Sequence, residues 1–154
     1  MAHENRGKQF ESQIRKAFLS VPNTKVTRLL DPQNGFAGVR NLCDFEVYHY
    51  PYQYMVECKS CYGNTLSFRN ITDTQWQLAD IDVYGVFAGY MVWFIDHDKT
   101  VWVPAKELKA LKDAGHKSLH ILKDEPVCFT IAGKKRRVLF DYDLTDFLQN
   151  GIYI

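Results

Sequence analysis

The run YGVFAGYMVWFI, from Tyr84 to Ile95, carries no charge and is the longest apolar stretch in the chain. It is too short to cross a bilayer as a helix, and a strand of this composition is one covered on both faces. The chain therefore needs helices against both sides of a sheet. One is readable at once, from Asn5 to Ser20: Phe10, Ile14, Ala17 and Phe18 recur at helical spacing that Val21 continues, and Pro22 and Asn23 end the pattern. Further helices are expected from Thr72 to about Val83, from about Ala105 to Ala114, and over LTDFLQNG, closed by Gly151. Strands are expected in KVTRLL, CDFEVYHY, QYMVECKS and TVWVP, with a late hairpin of basic tip in VCFTIAGKKRRVLFDYD. This order predicts one mixed α/β domain over residues 1–154.

With 154 residues the chain can bury about two thirds of the surface it exposes unfolded, and 46% hydrophobic against 24% charged residues excludes a disordered polymer. A net charge of +1 excludes a bulk polycation, so any nucleic-acid binding needs a local basic patch. The N-terminal MAHENRGKQF has no apolar segment of the secretory kind, which leads us to expect a soluble cytoplasmic protein with no membrane partner. Cys43, Cys58, Cys61 and Cys128 are then expected as free thiols. Cys58 and Cys61 form a single C-x-x-C compatible with zinc or redox chemistry, but no second close pair and no neighbouring helix start accompanies it.

The stretch YMVECKSCYG, residues 54 to 63, interrupts a strand pattern with two charges. Alternation puts Glu57 and Lys59 on one face and Tyr54, Val56 and Cys58 on the other. If the chain reverses about Tyr50–Pro51, cross-strand partners have numbers summing to 101, and Asp44 lies opposite Glu57. Phe45 and Val47 then join the apolar face, while Asp44, Glu46, Glu57 and Lys59 share the other. Opposed carboxylates repel unless a hard divalent cation such as Mg²⁺ or Mn²⁺ lies between them, and Lys59 would then stabilise charge on a phosphate. Spacing alone leaves a second reading open, the solvated face of an edge hairpin.

The set Asp44, Glu57-x-Lys59 and a glutamate on a preceding helix, Glu11, resembles the PD-(D/E)XK nuclease superfamily. More narrowly it resembles the RecU-type Holliday-junction resolvases: Asn5-Arg6-Gly7 precedes Glu11, Asp44-Phe45-Glu46 opens a strand, and Gln75 follows within NITDTQWQ. The similarity spans roughly residues 5 to 107. It implies a restriction-endonuclease-like α/β fold, a mixed β-sheet core flanked by helices. It also implies a homodimeric, Mg²⁺- or Mn²⁺-dependent endodeoxyribonuclease of bacterial or phage type acting on branched double-stranded DNA. Asp44 and Glu57 would hold the metal, Glu11 would bind it directly or through water, Lys59 would assist the attacking water, and Gln75 would complete the site. Two of these residues have other readings: Glu11 as an exposed helix residue paired with Arg15, and Gln75 as part of a Thr72-Asp73-Thr74-Gln75 capping box.

The family's long stalk before the catalytic aspartate is much reduced here, with only Asp31 to Asn41 in its place, so other structure-specific or nicking endonucleases of the superfamily stay open, as does a non-catalytic DNA-binding module. Candidate phosphate contacts are Arg6 and Lys8 near the N-terminus, Arg40 in the loop, and the run Lys134, Lys135, Arg136, Arg137, which could equally be solvated. Asp96-His97-Asp98 sits between two strands and is expected as a turn rather than a metal cluster.

Overall fold

The computed structural model describes residues 2–29 and 41–150, with side chains from residue 5 onward. Helix α1 (Ala2–Leu19) leads into strands β1 (Thr24–Arg28), β2 (Phe45–His49) and β3 (Tyr52–Cys61). β4 (Thr65–Ser67), a 3-10 turn over Phe68–Asn70, α2 (Asp73–Trp76) and a second 3-10 turn over Gln77–Asp80 then cross to β5 (Val86–Phe94). They are followed by β6 (Lys99–Pro104), α3 (Ala105–Asp113), β7 (Ser118–His120), β8 (Phe129–Thr130), β9 (Ala132–Lys135), β10 (Phe140–Asp143) and α4 (Thr145–Asn150).

Six strands form one sheet in the order β1-β2-β3-β5-β6-β8. β3 and β5 are parallel, which requires the intervening crossover, and the remaining neighbours are antiparallel. β4 with β7 and β9 with β10 make two separate two-stranded sheets. The result is a mixed α/β fold with a mixed sheet flanked by helices.

The uncharged run is β5, and it is covered on both sides as its composition demands. Met91 and Trp93 enter one core with Phe10, Ile14 and Phe18 of α1 and Phe147 of α4. Tyr90, Val92 and Phe94 enter a second core with Trp76 of α2, Leu78 of the crossover and Leu108 of α3. Each such side chain contributes about 1.5–3 kcal/mol by leaving water. Gly89 lies where β5 meets β6: a Cβ there would stand 2.5 Å from the Val103 carbonyl oxygen and 2.6 Å from the Trp102 ring.

The β2–β3 hairpin turns through a cis Tyr50–Pro51 bond, and its register runs from Phe45 opposite Val56 to His49 opposite Tyr52. Those pairs sum to 101, as alternation required. The helix expected to run to about Val83 is shorter: one α turn ends at Trp76, the 3-10 turn ends at Asp80, and Val83 is exposed. The Tyr90 hydroxyl donates to the Gln75 carbonyl at 2.8 Å, occupying the acceptor that a continuing helix would offer to the Ala79 amide. Gly151 and residues 31–40, including Arg40, lie outside the described residues. No described helix is long and apolar enough to cross a membrane.

Candidate active site

Alternation along β3 sends Tyr54 and Val56 into the first core and turns Glu57 to the opposite face. That face is roofed by the crossover: Glu57 is only 5% exposed, and the Lys59 side chain only 16%. A solvated edge hairpin is therefore not what surrounds this carboxylate. Gln75 donates from Nε2 to Glu57 Oε2 at 2.9 Å, and Lys59 Nζ stands 3.3 Å from the same oxygen.

Gln75 fills both roles that its sequence context offered. Its backbone amide donates to Thr72 Oγ1 at 3.2 Å while its Oε1 accepts from the Thr72 amide at 3.1 Å, a complete capping box. That leaves Nε2 aimed at Glu57. Tyr90, which pairs in register with Glu57, holds the Gln75 carbonyl from the sheet side. A buried tyrosine on the central strand is thus part of the site's support, and the apolar run that contains it gave no sign of the role.

Asp44 does not form the regular ladder pair with Glu57. The β2–β3 register closes at Phe45 opposite Val56, yet the Asp44 amide also donates to the Val56 carbonyl at 3.0 Å, so the chain is offset by one residue there. Asp44 Oδ2 accepts from the Cys58 amide at 2.8 Å, and its charge still acts on Glu57. Burial pushes the Asp44 carboxyl up to about 6, opposed by the Cys58 amide. Burial and then the Asp44 charge push Glu57 up to about 8, opposed by Lys59. Burial and neighbouring carboxylate charge raise both acids, so the pair resists carrying two charges at once.

Glu11 is placed near both: its charge contributes to raising each of the two acids. It is not paired with Arg15. Its Oε1 accepts from Arg28 Nε of β1 at 3.2 Å, and its side chain is 21% exposed. Among the described residues no group of three or more His, Cys, Asp and Glu side chains forms a set that could hold a metal ion, so the acidic centre is the pair Asp44 and Glu57. Two carboxylates are an ordinary protein contribution to a Mg²⁺ site, and a divalent cation between them would offset the burial and repulsion that raise both. The donor set fits such an ion.

The other candidates are scattered. Arg6 Nη1 donates to Gln9 Oε1 at 3.0 Å, and Lys8 is exposed on α1. Lys134 and Lys135 belong to β9, with Arg136 and Arg137 at the turn into β10. Lys135 pairs with Asp98 at 2.8 Å and Arg136 with Asp141 at 2.5 Å, so half of the basic tip is matched by carboxylates of this chain. Asp96, His97 and Asp98 form the expected turn, with a 3-10 segment over Ile95–His97 and Asp98 at φ 48. Each side chain has its own partner: Gly63 N for Asp96, Asn64 for His97 and Lys135 for Asp98. Cys58 and Cys61 are free thiols three residues apart on one strand, which sends them to opposite faces. Burial raises both thiols, Cys61 to about 12.

No protein-family model and no curated protein matches the chain.

Proposed function

We propose that this protein is a Mg²⁺-dependent endodeoxyribonuclease of restriction-endonuclease-like fold that nicks branched DNA, with the four-way junction as preferred substrate and a symmetric homodimer as active form. The observation that carries this reading is the buried Glu57 carboxylate with Asp44, Lys59 and Gln75, each half-buried, gathered about it. Two acids forced together under a helix turn weaken the metal-free fold, because burial favours neither charge. A purely structural position would be better filled by apolar side chains.

Asp44 and Glu57 would hold Mg²⁺ or Mn²⁺, with Glu11 beside them in direct or water-mediated reach. The ion supplies Lewis-acid activation of the phosphodiester and of the attacking water. Gln75 fixes the Glu57 carboxylate by a bond that its own capping box holds in direction. Lys59 keeps a cation within 3.3 Å of Glu57, where it can offset negative charge that builds on the phosphate. A junction of two-fold symmetry needs two nicks, and a C₂ dimer carries two sites.

The test is a cleavage panel of four-way junction, flap and linear duplex in Mg²⁺ or Mn²⁺, with sedimentation of the free and DNA-bound protein. Paired nicks on the junction by a dimer are expected. Preference for flap or duplex would move the protein to another nuclease of the superfamily, and no cleavage of any substrate would leave a DNA-binding module.

A further inference from the structure

On α1, Lys8, Glu11, Ser12 and Arg15 follow one another at intervals of three, one and three residues, which stacks them on a single helix face. That face does not enter the core. It lines a pocket of about 280 Å³ completed by Arg28 at the end of β1. A volume of that size admits a phosphate with water around it.

Three cations and one carboxylate give this pocket a formal charge of +2 within a chain whose total is +1. Glu11 engages Arg28, and neither Lys8 nor Arg15 has an ion-pair partner among the described residues. Two guanidinium groups, an ammonium and a hydroxyl facing one small volume are the donor set for a phosphate: arginines take its oxygens in pairs, and serine and lysine donate singly. The pocket also adjoins the acidic centre, because Glu11 forms part of its wall and acts electrostatically on Asp44 and Glu57. The basic tip of the β9–β10 hairpin is elsewhere. β10 lies against the α1 face carrying Gln13, Lys16, Ala17 and Ser20, about 140° round the helix at about 100° per residue.

We propose that Lys8, Ser12, Arg15 and Arg28 form a phosphate subsite that grips the DNA backbone next to the bond that is cut, with Glu11 setting the direction of Arg28. This rests on the nuclease reading above and deepens it. Arg15 and Arg28 supply the fork-shaped contacts. The bound group is an internal phosphodiester of the strand, and a free phosphate ion is the competing source of the same chemistry.

Binding of a four-way junction, measured without metal over a range of salt concentrations, tests the assignment in the double variant Arg15→Gln/Arg28→Gln, in Arg15→Lys/Arg28→Lys and in the parent. The glutamine variant is expected to bind about 10- to 100-fold more weakly, with the slope of log affinity against log salt reduced by about 1. The lysine variant should regain the slope and part of the affinity, and all three should melt within a few degrees of one another. Inorganic phosphate at millimolar concentration should not displace the junction. Unchanged affinity and slope in the glutamine variant would overturn the subsite while leaving nicking by the parent, and hence the nuclease reading, intact. Tight binding of inorganic phosphate with unaltered junction affinity would overturn it in favour of a free-anion pocket. A parent protein that binds no DNA would remove both.

Discussion

Replacing Asp44 by Asn separates the chemistry of this site from its structural cost. The asparagine side chain keeps an oxygen to accept from the Cys58 amide, the bond that Asp44 Oδ2 makes at 2.8 Å, but it removes a buried acid. Asp44 is raised from 3.8 to about 6 and Glu57 from 4.5 to about 8, so the folded state holds protons that the unfolded chain has released. Stability contributed by these protons is present below the ordinary carboxylate range and is lost as pH rises from about 4 through about 8. A rise from 3.8 to about 6 on Asp44 corresponds to about 3 kcal/mol. Exchanging a charged for a neutral acceptor at Cys58 costs about 1 kcal/mol. The metal-free variant should therefore be more stable than the parent by about 1–2 kcal/mol at pH 8, a rise in Tm of about 3–6 °C, and should show little or no gain at pH 5. Nicking should be abolished, and added Mg²⁺ should cease to raise Tm. Thermal melts at both pH values with and without Mg²⁺, alongside a nicking assay, check each part. Retained nicking would refute the metal role of Asp44, and a variant that is less stable at pH 8 would show that the carboxyl is a structural element.

Gln75→Glu keeps a capping residue but sets a third carboxyl against Glu57, so nicking should be lost along with some stability at pH 8. Gln75→Ala should cost about 1 kcal/mol from the cap alone, and urea titration distinguishes the two. Gly89→Ala should destabilise by several kcal/mol in denaturant melts, because its Cβ would overlap backbone and an indole that cannot both withdraw. Neutralising Lys134 and Arg137, for which no ion pair is formed among the described residues, should lower the salt slope of DNA binding more than neutralising the paired Lys135 and Arg136. Equal slopes would mark the hairpin tip as merely solvated.

The central strand was legible because its run from Tyr84 to Ile95 carries no charge, and the hairpin and the first helix because each obeys a single period: two for Phe45, Val47, Tyr54 and Val56, and 3.6 for Phe10, Ile14 and Phe18. The acidic pair was legible for the same reason, since alternation alone turns Glu57 away from Val56. What alternation could not supply was the offset at Asp44, which depends on one backbone hydrogen bond to Val56. Nor could it supply the roof that makes Glu57 buried, because Trp76, Leu78 and Phe68 come from the crossover and reach that face only through the parallel pairing of β3 with β5. Gln75 was ambiguous in sequence because its capping and carboxylate-binding groups are different atoms of one side chain. Arg28 was invisible as a partner of Glu11, since seventeen residues separate them and the contact arises from β1 lying beside α1. The β4–β7 pair was missed because three-residue strands carry no readable period.

The central claim is that the Asp44–Glu57 pair serves metal-dependent cutting of DNA, and Glu57→Gln tests it most directly. Glutamine has the same shape and keeps an oxygen for Gln75 Nε2, so the fold and the junction contacts are preserved while one of the two acids is removed. Single-turnover nicking of a strand-labelled four-way junction in Mg²⁺, run for parent and variant at enzyme concentrations that saturate the DNA, is the measurement. The account predicts cuts in opposing strands by the parent, and DNA bound but uncut by Glu57→Gln. Nicking by the variant at the parent's rate, or a parent that cuts nothing in Mg²⁺ or Mn²⁺, would contradict it.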